Sequence, residues 1–124
     1  MGGNCPEAAL GKLTTHVLDT AVGIPAAGMA VRLLKADTRE ILQETRTGAD
    51  GRCSSPLLEG KALARGRYIL SFSVAEYFRA RRIELADPPF LDIVEIAFGV
   101  ADADASYHVP LLVSPWAYSA YRGS

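Results

Sequence analysis

At 124 residues, 49% of them hydrophobic, the chain is long enough to bury one core without metal or disulfide staples. Thirteen basic residues against 14 acidic ones leave a net charge of −1, which offers no single-signed field to nucleic acid or to an anionic membrane surface. Cys5 and Cys53 stand in no metal-ligand or redox spacing, and no stretch approaches the length of a membrane span, so the expectation is a cytoplasmic protein with free thiols.

The opening MGGNCPEAALGKL lacks the basic and apolar regions of a secretion signal, and Pro6 occupies the place where a myristoylation pattern wants Ser or Thr. Residues 1–12 read as a flexible N-terminal segment ahead of a single domain over 13–124. LTTHVLD, from Leu13 to Asp19, is rich in β-branched residues and predicts a strand, and the turn-forming VGIPAAG that follows predicts a loop. MAVRLLKAD then alternates Met29, Val31 and Leu33 against Ala30, Arg32 and Leu34, the period of a half-buried strand.

The polar EILQETRTG reads as an edge strand. It runs into Ala49-Asp50-Gly51-Arg52, whose Asp-Gly pair signals a tight turn because glycine accepts a positive φ. RYILSFSV, Arg67 to Val74, directs Tyr68, Leu70, Phe72 and Val74 to one face. AEYFRARRIE has helical spacing with no Gly or Pro inside it and predicts a short helix. IVEIAFGV puts Val94, Ile96, Phe98 and Val100 on one face of a further strand, YHVPLLV makes the penultimate strand and AYSAY a short last one. About eight short strands with one small helix point to an all-β fold, an antiparallel β-sandwich.

Chemistry-bearing residues are few. The two histidines, His16 and His108, both fall mid-strand, and alternation puts the first on the same face as Thr14 and aliphatic Leu18, the second with Pro110 and Leu112. The bland alternative is a pair of hydrogen-bonded core histidines. The functional one is a proton acceptor that titrates near pH ~6.5. Arg52, leaving the Asp-Gly turn, is either a solvated turn residue or a guanidinium fork able to grip a planar, carbonyl-rich anion. No Gly-rich phosphate loop, no G-x-S-x-G elbow and no Cys/His metal spacing occurs, and two imidazoles without a third ligand make a poor metal site. The last residues, Tyr121-Arg122-Gly123-Ser124, follow an apolar run with no disposable tail behind them. Termini ordinarily fray, so such an ending suggests one that is held.

LTTHVLD, TRTGADGR and the closing YHVPLLVSPWAYSAYRGS together resemble the 5-hydroxyisourate hydrolases, the transthyretin-related proteins of urate breakdown, over Leu13 to Ser124. The Tyr-Arg-Gly-Ser ending is the most specific piece, because in that family it marks the enzymes and is absent from the hormone-carrying transthyretins. The resemblance implies a transthyretin-like sandwich and a homotetramer built as a dimer of dimers, with active sites in the channel where the dimers meet. It implies a small-molecule substrate and neither metal nor cofactor.

Carried over by position, the catalytic roles fall on His16, Arg52, His108 and Ser124, and the substrate contacts on His16, Arg52, Tyr121, Arg122 and Gly123. The implied reaction is hydrolysis of 5-hydroxyisourate to 2-oxo-4-hydroxy-4-carboxy-5-ureidoimidazoline, with a histidine as general base and Arg52 stabilising developing negative charge. Ser106 stands where the family often has another histidine, and Trp116, Ala117 and Ala120 depart from its usual S-P-Y-G-Y-S-T. Two other readings compete: a carrier that holds an aromatic small molecule in the central channel, and a sandwich whose faces serve assembly alone.

Overall fold

The computed structural model of the chain describes residues 11–123. Most of the expected flexible segment, together with Cys5 and Ser124, lies outside those residues. Lys12 already opens the first strand, and Gly11 before it is buried against the Ala103 and Ala105 carbonyls so closely that any Cβ would collide with Ala105.

Nine strands and one α-helix follow in order: β1 (Lys12–Asp19), β2 (Ile24–Pro25), β3 (Ala30–Lys35), β4 (Ile41–Arg46), β5 (Leu58–Glu59), β6 (Gly66–Ser73), α1 (Val74–Ala80), β7 (Ile93–Val100), β8 (Tyr107–Val113) and β9 (Tyr118–Ala120). They form two sheets, one ordered β2-β1-β8-β9 with β5 also on β1, the other β4-β3-β6-β7. This is the all-β sandwich that the strand pattern led us to expect. One ladder departs from antiparallel: β1 and β8 run parallel, from Leu13 opposite Tyr107 to Asp19 opposite Val113. Parallel neighbours need a long crossover, and here the crossover is the whole second sheet.

Period-two alternation builds the core. Leu13 and Val17 of β1, Val31 and Leu33 of β3, Leu70 and Phe72 of β6 and Leu111 and Val113 of β8 are fully buried between the sheets. Tyr68, Val94 and Val100 join the same cluster, while Ile96 and Phe98 of the edge strand β7 are only half-buried.

The helix is shorter than its sequence suggests. Val74 starts it and Ala80 ends it, because Arg82 takes a positive φ of 63° and the Ile83 N–H turns back to the Phe78 carbonyl at 3.0 Å. Asp19, 1% exposed, ties α1 to the end of β1. Its carboxylate accepts the Tyr77 hydroxyl at 2.9 Å and the Ala21 N–H at 2.9 Å, with Arg81 Nε 3.8 Å away. A buried carboxylate is tolerable only when bonded in this way. Burial, reinforced by the hydrogen bond and charge of Asp19, pushes the Tyr77 phenol up to about 12.

Candidate active site on the outer face of the β1–β8 sheet

Because Leu13, Thr15, Val17 and Asp19 face the core, Thr14, His16 and Leu18 face outward, and each is half-buried. Both histidines therefore sit on the outer face of their sheet. Thr14, Leu18 and Leu112 are half-buried on that face beside them, although Pro110 is covered, so the core-histidine alternative does not hold.

Three connections bring the sequence-distant residues together on this face. The parallel register sets His108 opposite Thr14. On the other flank of β1, Gly51, at a φ of 81°, turns the chain so that the Val17 N–H donates to its carbonyl at 2.9 Å and Arg52 pairs with His16. A Cβ on Gly51 would come 2.5 Å from the Val17 carbonyl and 3.1 Å from His16 Cδ2, so only glycine lets the turn lie this close. On the far flank of β8, the Gly123 N–H donates to the His108 carbonyl at 2.6 Å. Arg52, His16, His108 and Gly123 thus follow one another across the face.

The hydrogen bonds constrain the imidazoles. His16 Nε2 lies 3.1 Å from the Asp50 carbonyl, which can only accept, so a neutral His16 carries its proton on Nε2. Asp50 also accepts the Arg52 backbone N–H through Oδ1 at 3.0 Å, fixing the turn that carries the guanidinium. His108 Nδ1 lies 2.8 Å from Thr14 Oγ1, and the two ring centroids are 6.4 Å apart. Burial holds the pKa of His108 below its ordinary value, and the positive charge of Arg52 and the neighbouring His16 act in the same direction. Near neutral pH the ring is therefore an uncharged proton acceptor.

Lys12, Thr14, Arg52, Ser106, Tyr107 and His108 line an open groove of about 330 Å³. Tyr121 and Arg122 lie elsewhere, lining an apolar cleft of about 220 Å³ with Ile96, Phe98 and Val109. Arg122 stacks 4.1 Å over the Tyr107 ring and donates from Nη2 to the Ser106 carbonyl at 3.2 Å. Those contacts fasten the end of the chain against β8 and hold Gly123 on His108. A Cβ at Gly123 would fall 2.9 Å from His108 Cδ2. The terminus is held, as the sequence suggested, at least as far as Gly123.

Thr14, Lys12 and Asp50 escaped the sequence reading. Alternation already set Thr14 on the face of His16, and Asp50 belonged to the recognised turn. The parallel register that makes Thr14 a neighbour of His108 left no local trace. Among the described residues no three His, Cys, Asp or Glu side chains gather as metal ligands would, and no helix is long and apolar enough to cross a membrane.

Comparisons with known proteins bear on what this face does. The profile of the HIUase/Transthyretin family matches residues 13–123. The 5-hydroxyisourate hydrolase of Ralstonia nicotianae is 57% identical over 117 residues, covering 93% of this chain and 100% of that protein. The solved 5-hydroxyisourate hydrolase of Klebsiella pneumoniae superposes with a TM-score of 0.77 at 31% identity, over 92% of this chain and 99% of that one. The crystal structure of an (S)-allantoin synthase superposes with a TM-score of 0.89 at 42% identity, over 94% of this chain but 44% of the synthase.

Proposed function

The chain belongs to the HIUase/Transthyretin family, and from that premise we propose that it is an enzyme that hydrolyses 5-hydroxyisourate to 2-oxo-4-hydroxy-4-carboxy-5-ureidoimidazoline in purine breakdown, with neither metal nor cofactor. The observation that carries this reading is an open groove lined by Arg52 and a neutral His108, with His16 next to both: its backbone is bridged to Arg52 and its ring centroid lies 6.4 Å from that of His108. A carrier channel lined by apolar groups would need none of the three.

In this mechanism a water oxygen bonds to a ring amide carbonyl while His108 takes the water proton. Arg52, with Lys12 in the same groove, holds the planar substrate, and the guanidinium stabilises the oxyanion as it forms. The C–N bond then breaks, and the departing ring nitrogen takes the proton back from His108. His16 orients substrate or water through Nδ1, since Nε2 is committed to Asp50. Gly123 reaches the site through its bond to the His108 carbonyl, while Tyr121, which lines the separate apolar cleft, and Ser124 are assigned to substrate by the family resemblance alone. Arg122 acts through the tail it fastens, and no direct substrate contact is asked of it.

We further propose a cytoplasmic homotetramer, a dimer of dimers whose second copy closes the groove. The apolar side chains left open at the β8–β9 turn, Trp116 at 69% and Tyr118 at 47% exposure, support a contact between copies. Rates of 5-hydroxyisourate decay with the His108→Asn and His16→Asn proteins test the assignment. Loss of about 100-fold or more in kcat is expected for His108→Asn, with a smaller loss for His16→Asn. Full activity in both variants would remove the histidines from the mechanism.

A further inference from the structure

We propose that Thr14 is a positioning residue for His108: its hydroxyl accepts the Nδ1–H, so that Nε2 is left as the unprotonated nitrogen that takes the water proton. The proposal rests on the hydrolase reading and adds to it the atom of the base and the group that selects that atom.

Geometry puts the two side chains together. Thr14 is paired with His108 in the parallel register, both point outward, and Oγ1 lies 2.8 Å from Nδ1. The Thr14 hydroxyl makes no other side-chain hydrogen bond among the described residues. Thr15, one position on, is turned inward and spends its hydroxyl on the Val109 carbonyl at 2.7 Å. Nδ1 is thereby occupied, and Nε2 is the ring nitrogen that remains for chemistry.

The direction of the hydrogen bond follows from what the ring must do. A neutral imidazole has one N–H, while the imidazolium formed after proton transfer has two, and a hydroxyl can either donate or accept. A Thr14 hydroxyl that accepts from Nδ1–H serves the ring equally well before and after transfer, with no regrouping during the reaction. A hydroxyl that donated to Nδ1 would place the neutral ring's proton on Nε2 and leave no free nitrogen to act as base.

The other groups around His108 do not make this choice. Arg52 and Lys12 line the same groove, His16 faces the ring from β1, and Arg122 is held by Ser106 and Tyr107. None offers Nδ1 an acceptor. The Asp50 carboxylate is engaged by the Arg52 backbone N–H, and Gly123 covers the ring at Cδ2. His16, whose partner is a carbonyl, holds the opposite tautomer.

The test combines nitrogen NMR of histidine-labelled protein with kinetics. Only two histidines are present, so one His16→Asn sample assigns both rings. In the wild type above the His108 pKa, the proton should reside on Nδ1 of His108. Thr14→Val keeps the side-chain shape in a strand position that favours Val. It should shift His108 toward the Nε2–H tautomer and lower kcat roughly 10- to 100-fold, the scale of losing a histidine's orienting partner, with KM little changed. Thr14→Ser should restore both tautomer and kcat.

A wild-type His108 protonated on Nε2 would overturn the proposal. So would a Thr14→Val protein that keeps its kcat. Wild-type protein that leaves 5-hydroxyisourate decay at its spontaneous rate would overturn the hydrolase reading, and with it the catalytic role of Thr14, while the tautomer itself would still be read from the spectrum.

Discussion

His108 shows how little of a residue's chemistry belongs to the residue. Burial, Arg52 and His16 all disfavour its charged form, so the acid limb of kcat/KM is expected below the ordinary histidine value of about 6.5. In the proposed mechanism the neutral ring is the active form, so activity is expected to fall as pH drops through the lowered pKa. The same shift affects stability. Relative to an unfolded ring titrating near 6.5, this group's contribution is present above that pH and is lost as pH falls through the folded value. Arg52→Gln removes one of the causes. It should lower kcat/KM and also move the acid limb toward higher pH, and a pH profile of the variant reads both. A limb that stayed in place would mean that Arg52 does not act electrostatically on His108. The identities of His16, Arg52 and His108 were visible in the sequence. Their neighbours were not, because Thr14 meets His108 across 94 residues of chain.

Among the elements, those with a clean local period were legible. The alternation of Met29, Val31 and Leu33, and of Tyr68, Leu70, Phe72 and Val74, matches the residues that the sandwich buries. Two-residue strands such as β2 and β5 are too short to alternate, and the end of α1 depends on the backbone of Arg82 rather than on a glycine or proline signal. The parallel β1–β8 pairing is set by the long-range packing of both sheets, which no window of sequence contains. The closing segment after β9 has the most direct functional consequence. Gly123→Ala would bring a Cβ to 2.9 Å from His108 Cδ2 and 3.4 Å from Pro110 Cγ, so ring or tail must give way. Activity should fall about 10- to 100-fold from a misplaced base. The melting temperature should change little, since the substitution lies outside the core. A fully active Gly123→Ala protein would show that the tail does not set the ring.

For the whole molecule, the sandwich supplies a platform, and the outer face of one sheet carries the candidate site. A single copy leaves the groove open and leaves Trp116, Tyr118 and Tyr121 exposed elsewhere on the chain. Sedimentation is expected to give four times the 13.3 kDa chain mass, and emission from Trp116, the only tryptophan, should shift on dilution. A monomer with full activity would remove the second copy from the mechanism. The central claim is that Arg52 and the held terminus belong to one hydrolytic site. The measurement that bears on it most directly follows freshly generated 5-hydroxyisourate by ultraviolet absorbance with wild-type protein, with Arg52→Ala, and with a chain truncated before Tyr121. Accelerated decay with the wild type, lost in both variants, is the expected result. Decay at the spontaneous rate in the presence of folded wild-type protein would contradict it, and tight binding of an aromatic ligand by that protein would turn the reading toward a carrier.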